Sequence, residues 1–300
     1  MKFTQLNQTC YYFDAAVNIG YVHQKDKGML IDAGIDDSAM RKVLKELKAN
    51  DLPVTHLFIT HAHADHYGGA HFLQKRHTIT TIAPKFETAI LQNPTIEPLY
   101  LFQGNDPLPE LHNKFLEGKA IQVDEAIDEG QHNFNEFSFN THLLPGHSYH
   151  QLAIEINGIL FAGDSYFSEE QLDKHKIPYI TDADLTIQSL HKLSEISCEG
   201  AVPGHGVFEA DFLPTVQKNI ECHEKLLKWL DDYINIAKSG VSHETVISDM
   251  CDHFNVENTL LSPWLLYRTA VTAYLIALIK QEKVEHYIEK NKWKFRKKQA

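Results

Sequence analysis

Thr60-His61-Ala62-His63-Ala64-Asp65-His66-Tyr67-Gly68-Gly69 places four candidate metal ligands within six residues. Upstream, Thr55-His56-Leu57-Phe58-Ile59-Thr60 has the composition of a short buried strand, and downstream Gly69 to Arg76 has the pattern of a helix start. The four side chains are therefore expected on a loop at the C-terminal end of a strand. In extended backbone, alternate side chains project the same way, so His61 and His63 can grip one ion together, while Asp65 and His66, past the turn, can face a second. A helical H-E-x-x-H site works differently, with ligands four residues apart on one helix face. The chain holds 19 histidines, so a lone histidine carries little weight. Four ligand-type residues at this spacing, closed by two glycines, carry far more.

Three further ligand-type residues end predicted strands: His147 in Leu144-Pro145-Gly146-His147-Ser148, Asp164 in Phe161-Ala162-Gly163-Asp164-Ser165, and His205 in Val202-Pro203-Gly204-His205-Gly206. Glycine beside a ligand lets the backbone turn tightly and approach an ion closely. Asp32, in Leu30-Ile31-Asp32-Ala33-Gly34, ends another buried run, where an acid is costly unless a cation or hydrogen-bond donor receives it.

The surrounding pattern is mixed. Phe3 to Asp32 reads as an N-terminal meander of short strands, followed by a helix over Asp37 to Ala49 with Met40, Val43, Leu44 and Leu47 on one face. A strand over Thr78 to Ala83 leads to Pro84 as a helix opener and a helix through Leu91. From Asn93 to Gly118 the pattern is irregular and proline-rich around Leu99-Tyr100-Leu101-Phe102. That segment is expected either to cover the site as a lid or to pack as filler. Asp128-Glu129-Gly130 marks a turn. Strands follow over Phe137 to Leu144 and Leu152 to Ile156, and Asn157-Gly158 pairs the latter with Ile159 to Ala162 as a hairpin. Without strict β-α-β alternation, this suggests an α+β fold of two packed sheets covered by helices.

After His205 the pattern becomes helical over about Asp211 to Ala237, Ser242 to Phe254 and Pro263 to Glu282, ending in a hairpin about Glu289 to Lys292. Helices followed by a hairpin resemble a small winged-helix unit, giving an expected division into residues 1–210 and 211–300. Lys292, Lys294, Arg296, Lys297 and Lys298 form a basic cluster at the end, either a solvated tail or a nucleic-acid contact.

The 300 residues are 43% hydrophobic, ample for a large core, and the formal net charge of -12 argues against a general nucleic-acid coat. Cys10, Cys198, Cys222 and Cys251 are scattered with no C-x-x-C pair, which fits reduced thiols in a cytoplasm. Met1 to Asn18 has no sustained apolar run, and Val271 to Ile279 is too short to span a bilayer. The expectation is a cytoplasmic, membrane-free protein, with a homodimer open.

With Asp32, the His-x-His-x-Asp-His loop, His147, Asp164 and His205 in that order, the sequence resembles the metallo-β-lactamase-fold hydrolases over roughly residues 10 to 210. The resemblance implies an αββα sandwich. It implies that His61, His63 and His147 hold one ion, that Asp65, His66 and His205 hold a second, that Asp164 bridges both, and that Asp32 supports the ligands from behind. Lactam-hydrolysing members generally lack such a bridging aspartate, whereas glyoxalase II-like thioesterases, lactonases and phosphodiesterases of this fold have one. Ser148-Tyr149-His150-Gln151 departs from the proline-glycine pair frequent at this point in glyoxalase II-like members. The C-terminal part resembles the helical or winged-helix appendage of a lactamase-like branch.

Imidazole and carboxylate ligands without thiolate suit two Zn(II), with Fe or Mn admissible. The reaction expected is hydrolysis of a small ester, thioester or lactone by a metal-bridging hydroxide, with Asp65 accepting a proton. Tyr67, Tyr166 and Phe167 flank ligands as either site walls or core; Tyr166 is the candidate donor to a developing oxyanion. The alternatives are a phosphodiesterase or endoribonuclease, using the basic tail to hold RNA, an iron-dependent persulfide dioxygenase, and a non-enzymatic interaction protein.

Overall fold

Along Met29-Leu30-Ile31 and Leu57-Phe58-Ile59, successive side chains alternate between two cores: Leu30, Leu57 and Ile59 face one way, Met29, Ile31 and Phe58 the other. Ile159-Leu160-Phe161-Ala162 alternates likewise. Strands buried on both faces belong to the inner layers of a sandwich. The computed structural model, which describes residues 1–237 and 239–298, has that architecture. One sheet runs β1 (Lys2–Gln5), β2 (Cys10–Asp14), β3 (Ile19–Gln24), β4 (Lys27–Ile31), β5 (His56–Phe58), β6 (Thr80–Pro84), β7 (Glu125–Ile127) in spatial order, antiparallel through β4 and parallel from β4 to β7. The second contains β8 (Gly130–Phe134), β9 (Phe137–Leu143), β10 (Leu152–Ile156), β11 (Ile159–Gly163) and β12 (Gly200–Pro203), in the order β12-β11-β10-β9-β8. The Asn157-Gly158 turn closes β10 on β11 with both residues at positive φ, 50° and 81°, as its sequence requires.

Helices close both outer faces. On the first sheet lies α1 (Asp37–Ala49), capped by Asp36, whose side chain accepts from Ser38 N and Ala39 N, with Met40, Val43 and Leu47 buried. The loop bearing His61 and His63 continues as α2 (Ala64–Tyr67) and α3 (Ala70–Gln74), so Asp65 and His66 stand in a helical first turn instead of an open loop. Pro84 ends β6 and does not open a helix; α4 (Thr88–Gln92) begins four residues later. The irregular segment contains α5 (Ile96–Leu101) and a 3-10 turn over Pro109–Leu111. Two helices, α6 (Glu169–His175) and α7 (Ala183–Ser194), occupy a stretch whose sequence pattern named no element.

The long α8 (Leu213–Ile236) serves two cores. Val216 and Ile220 pack on the second sheet, while Leu226, Leu230 and Ile234 join the C-terminal cluster with Val246, Ile247, Tyr274 and Phe295. That cluster is built by α9 (His243–His253), α10 (Leu261–Lys280) and a sheet of β13 (Val241–Ser242), β14 (Val284–Glu289) and β15 (Lys292–Lys297), ordered β13-β15-β14. With 20 residues, α10 has the length and apolar composition of a membrane span. The isolated run Val271 to Ile279 understates it, but Leu265, Ala270, Val271, Tyr274 and Leu278 pack into the protein. In the basic cluster, Lys294 pairs with Glu289 at 2.8 Å, Arg296 with Glu285 at 2.6 Å and Lys298 with Glu282 at 3.4 Å. Half or more of its charge is thus answered locally.

Candidate metal centre

Parallel pairing of β4 with β5, and of β11 with β12, points their C-terminal ends to the same edge of the sandwich. Asp32 follows β4, the His61 loop follows β5, Asp164 follows β11 and His205 follows β12, while His147 stands on the β9–β10 connection. Backbone bonds stitch these ends together: Leu152 N to Thr60 O at 3.0 Å, Gly204 N to Gly163 O at 2.6 Å and Asn18 N to Gly204 O at 2.8 Å. All seven predicted ligands converge here. His61 Nε2 is 3.0 Å from His63 Nδ1, which is 2.9 Å from His147 Nε2. Asp164 Oδ1 is 3.3 Å from His66 Nε2, and its Oδ2 lies 3.3 Å from His147 Nε2 and 3.4 Å from His205 Nε2. Asp65 Oδ2 is 3.3 Å from His205 Nε2. The groups His61/His63/His147, His61/His66/Asp164 and Asp65/His66/His205 each have ligand atoms within 4.8 Å of one another.

In four of the rings, those of His61, His66, His147 and His205, the far side fixes the tautomer. His147 Nδ1 donates to Tyr179 O at 3.0 Å and His205 Nδ1 to Ala16 O at 2.7 Å, and a carbonyl can only accept. Asp32 Oδ2 receives His66 Nδ1 at 2.8 Å and also Thr60 Oγ1 at 2.9 Å. Because that hydroxyl donates to Asp32, it is left to accept from His61 Nδ1, 3.0 Å away. Asp32 thereby orients a histidine in each group, one directly and one through Thr60, and every Nε2 concerned turns a lone pair inward when neutral. Asp32 itself sits at φ 62°, an uncommon conformation for a residue with a Cβ.

Electrostatics divide the centre. Burial pushes His61 well below the ordinary histidine range and holds His63 and His147 at about 4. Burial opposes the charged form of His205 too, yet Asp164 and Asp65 lift it to about 10; His66 is likewise raised well above its usual value by Asp164, Asp65 and Asp32. Asp65 is lowered to about 2 and Asp164 well below its ordinary value, in both cases against burial and through His66 and His205.

These residues fit divalent metal. His66 Nε2 and Asp164 Oδ1 are enclosed and, although 3.3 Å from one another, make no well-formed hydrogen bond among the described residues, a state that buried polar atoms seldom keep without an ion or water. Gly204 leaves the cradle open, since a Cβ there would stand 2.0 Å from Asp164 Oδ1.

Several supports carry no mark in the sequence. Glu87, 1% exposed, accepts from Ala62 N at 3.0 Å, Ser148 Oγ at 2.9 Å and His150 N at 2.9 Å, clamping the His61 loop to the His147 loop. Asn18 Nδ2 donates to Pro203 O and Gly206 O at 2.8 and 2.6 Å, bracing the His205 loop. Gln151 Oε1 accepts from Asp164 N at 3.0 Å. Tyr166 requires a correction: it points into the core behind the second sheet, against Phe212, and its hydroxyl donates to Glu209 at 3.1 Å. It therefore does not face the reacting position expected of an oxyanion donor. Phe167 and Tyr179 are the aromatics at the ligands, with Phe167 5.5 Å from the His147 ring and Tyr179 5.5 and 5.6 Å from those of His63 and His147. Tyr67 is buried with its hydroxyl accepting from Gly118 N at 3.0 Å.

The sequence profile of the Metallo-beta-lactamase superfamily matches residues 13–205. The chain belongs to the metallo-beta-lactamase superfamily. Among superfamily members of known structure, a metallo-beta-lactamase family protein from Thermus thermophilus superposes with a TM-score of 0.75 at 16% identity, covering 98% of this chain and 100% of that one. A beta-lactamase domain protein from Burkholderia ambifaria gives 0.73 at 14% identity, covering 99% and 93%. Both likenesses extend through the C-terminal helices and concern the fold. In sequence, a hydroxyacylglutathione hydrolase of Aeromonas salmonicida is 29% identical over 134 residues, 45% of this chain and 42% of the relative. Lactamase-like protein adaB of Aspergillus niger is 24% identical over 201 residues, 66% and 51% respectively. The chain spans about half the length of the curated relatives it matches.

Proposed function

We propose that this protein is a dinuclear metal-dependent hydrolase that uses water to cleave a small carbonyl ester, with thioesters and lactones the leading classes. The observation that carries the reading is Asp164, a single carboxylate shared between His66, His147 and His205 at 3.3 to 3.4 Å. His61, His63 and His147 would hold one ion and Asp65, His66 and His205 the other, with Asp164 common to both. Zinc suits this imidazole and carboxylate set, and iron or manganese are admissible. Bound there, such ions supply Lewis acidity that acidifies a water and polarises the scissile carbonyl.

The chain contributes order and proton transfer. Asp32 and Thr60 keep the imidazoles turned inward, and Glu87 holds the two histidine loops at fixed separation. Asp65, whose side chain keeps 25% exposure against 6% for Asp164, is the carboxylate placed to take a proton and pass it to the leaving group or solvent. The relatives named hydroxyacylglutathione hydrolases support a thioester. The local pairing of the basic cluster supports a carbonyl substrate over nucleic acid. We read the C-terminal unit as winged-helix-like and as a wall of the substrate site, because Leu101, Leu111 and Leu116 of the 93–118 segment pack on Leu265 of α10.

The test compares initial rates of the metal-loaded protein, with a His61→Ala control, on thioesters and lactones against a phosphodiester and structured RNA. Carbonyl-ester turnover abolished in the control is expected. Preferential phosphodiester or RNA cleavage would overturn the reading.

A further inference from the structure

Phe86 and Tyr149 form a ring pair with centroids 4.9 Å apart and planes 30° from parallel. Both rings are open to solvent, Phe86 51% exposed and Tyr149 69%. Their chain neighbours are buried and anchored. Glu87, directly after Phe86, accepts through Oε1 from Ser148 Oγ and His150 N, the residues on either side of Tyr149, at 2.9 Å each. Its Oε2 accepts from Ala62 N, between His61 and His63. The pair is therefore mounted on the clamp that joins the two histidine loops. Phe86 also follows β6, which runs parallel to β5, so it stands at the same sheet edge as the His61 loop. Tyr149 is two residues beyond His147, at most about 7 Å along the chain. Scattered exposed apolar side chains are ordinary on a protein surface. Ile236 at the end of α8 and Ile288 on β14, 79% and 70% exposed, are of that kind. Two paired aromatic rings held at the margin of a ligand cluster are not.

We propose that Phe86 and Tyr149 bind an aryl group of the substrate, so that esters or thioesters carrying an aromatic ring on a short linker are the preferred class; the substrate part rests on the hydrolase reading above. A flat ring packed on the tilted pair buries apolar surface that both side chains now expose and adds the face and edge attraction of aromatic contacts. Little order has to be gained on binding, because the bonds to Glu87 already hold the residues on each side of Tyr149. A carboxylate or phosphate finds no free counter-charge in Lys85, the residue next to Phe86, which pairs with Asp128. The short linker follows from the closeness of Tyr149 to His147 along the chain. Both rings would touch the substrate away from the reacting atoms, and so act on its binding.

The decisive measurement is an NMR titration of the metal-free protein with 3-phenylpropanamide and with propanamide, which lacks the ring. Binding of the phenyl compound about tenfold tighter is expected in the wild type. The ratio should fall towards one in Phe86→Ala and in Tyr149→Ala, and persist in Ile288→Ala, which removes an equally exposed apolar side chain elsewhere. Equal affinities in the wild type, or a preference that survives both aromatic replacements, would overturn the proposal, and the wild-type comparison decides even if a variant folds poorly. A dimer in sedimentation that dissociates in Phe86→Ala would assign the pair to a second copy of the chain and overturn it as well. On the loaded protein, 3-phenylpropanoyl and propanoyl thioesters of one thiol should differ about tenfold in kcat/KM, and the ratio should approach one in the same two variants. Loss of all ester turnover would remove the hydrolase reading and leave the binding result standing. Turnover without ring preference, together with equal binding, would remove the role of Phe86 and Tyr149 alone.

Discussion

His61, His63 and His147 meet through ring nitrogens 3.0 and 2.9 Å apart, and burial keeps them neutral. Asp65, His66 and His205 meet around carboxylates, and those carboxylates keep the two histidines protonated while no ion is present. One group presents lone pairs ready for a cation; the other holds protons where the cation would go. Burial and counter-charge act on both groups, and what differs is which one wins. The lesson is that a nearly symmetrical list of ligand-type residues conceals two groups with different proton linkage.

Removing the residue they share should have the largest effect. Asp164→Ala is expected to lower turnover by more than the roughly 10–100-fold typical of losing an outer partner and to reduce bound metal in both groups, read by elemental analysis beside kinetics. Full occupancy of the His61 group in that variant would show that the two are independent. Next comes pH. Cation affinity of the Asp65/His66/His205 group should rise about tenfold per pH unit for each proton displaced as pH climbs towards the His205 value of about 10. The other group should stay flat down to the approach of about 4. Proton release measured by calorimetry in buffers of different ionisation enthalpy checks this, and equal release from both groups would erase the distinction. The metal-free fold carries the same signature. The raised His205 stabilises it fully below the ordinary histidine pKa of about 6.5, and that contribution is lost as pH rises through about 10. The depressed His63 and His147 contribute above about 6.5 and lose that contribution as pH falls towards about 4.

Asp32→Ala should weaken both groups by roughly 10–100-fold in metal affinity or activity, since Asp32 reaches His66 directly and His61 through Thr60. Unaltered affinity and rate would remove its supporting role. Glu87→Ala and Asn18→Ala separate the two groups more gently. Each should cost about 1–3 kcal/mol of stability in denaturant unfolding, with Glu87→Ala loosening the His61/His63/His147 group and Asn18→Ala the His205 loop. The smallest effect belongs to Tyr166→Phe: turnover unchanged and about 1 kcal/mol of stability lost with its bond to Glu209. A large fall in kcat there would restore the catalytic role that the geometry denies it.

The hairpins were legible because their instructions are local. Asn157-Gly158 carries its turn in two residues, and Glu289 to Lys292 places Lys290 and Asn291 at positive φ between β14 and β15. The strands buried on both faces could be recognised as apolar runs, but not their partition between two cores. Reading Pro84 as a helix opener failed because parallel pairing with β7 draws it into β6. The irregular 93–118 segment gave no periodic signal, since its order comes from Leu265 and neighbouring side chains far away in sequence.

The sequence by itself picked out the seven ligand-type residues and Asp32, because ligand chemistry and the neighbouring turn glycines are written in short local motifs, while the structure set Asp65 and His66 in a helical turn. Only the tertiary structure decided that Thr60 relays Asp32 to His61 and that Glu87 and Asn18 hold the loops. It also turned Tyr166 away while setting Tyr179 against the histidines. Those facts rest on contacts between residues tens to nearly two hundred positions apart, and a hydrogen bond across such a distance leaves no period or spacing in the chain to read.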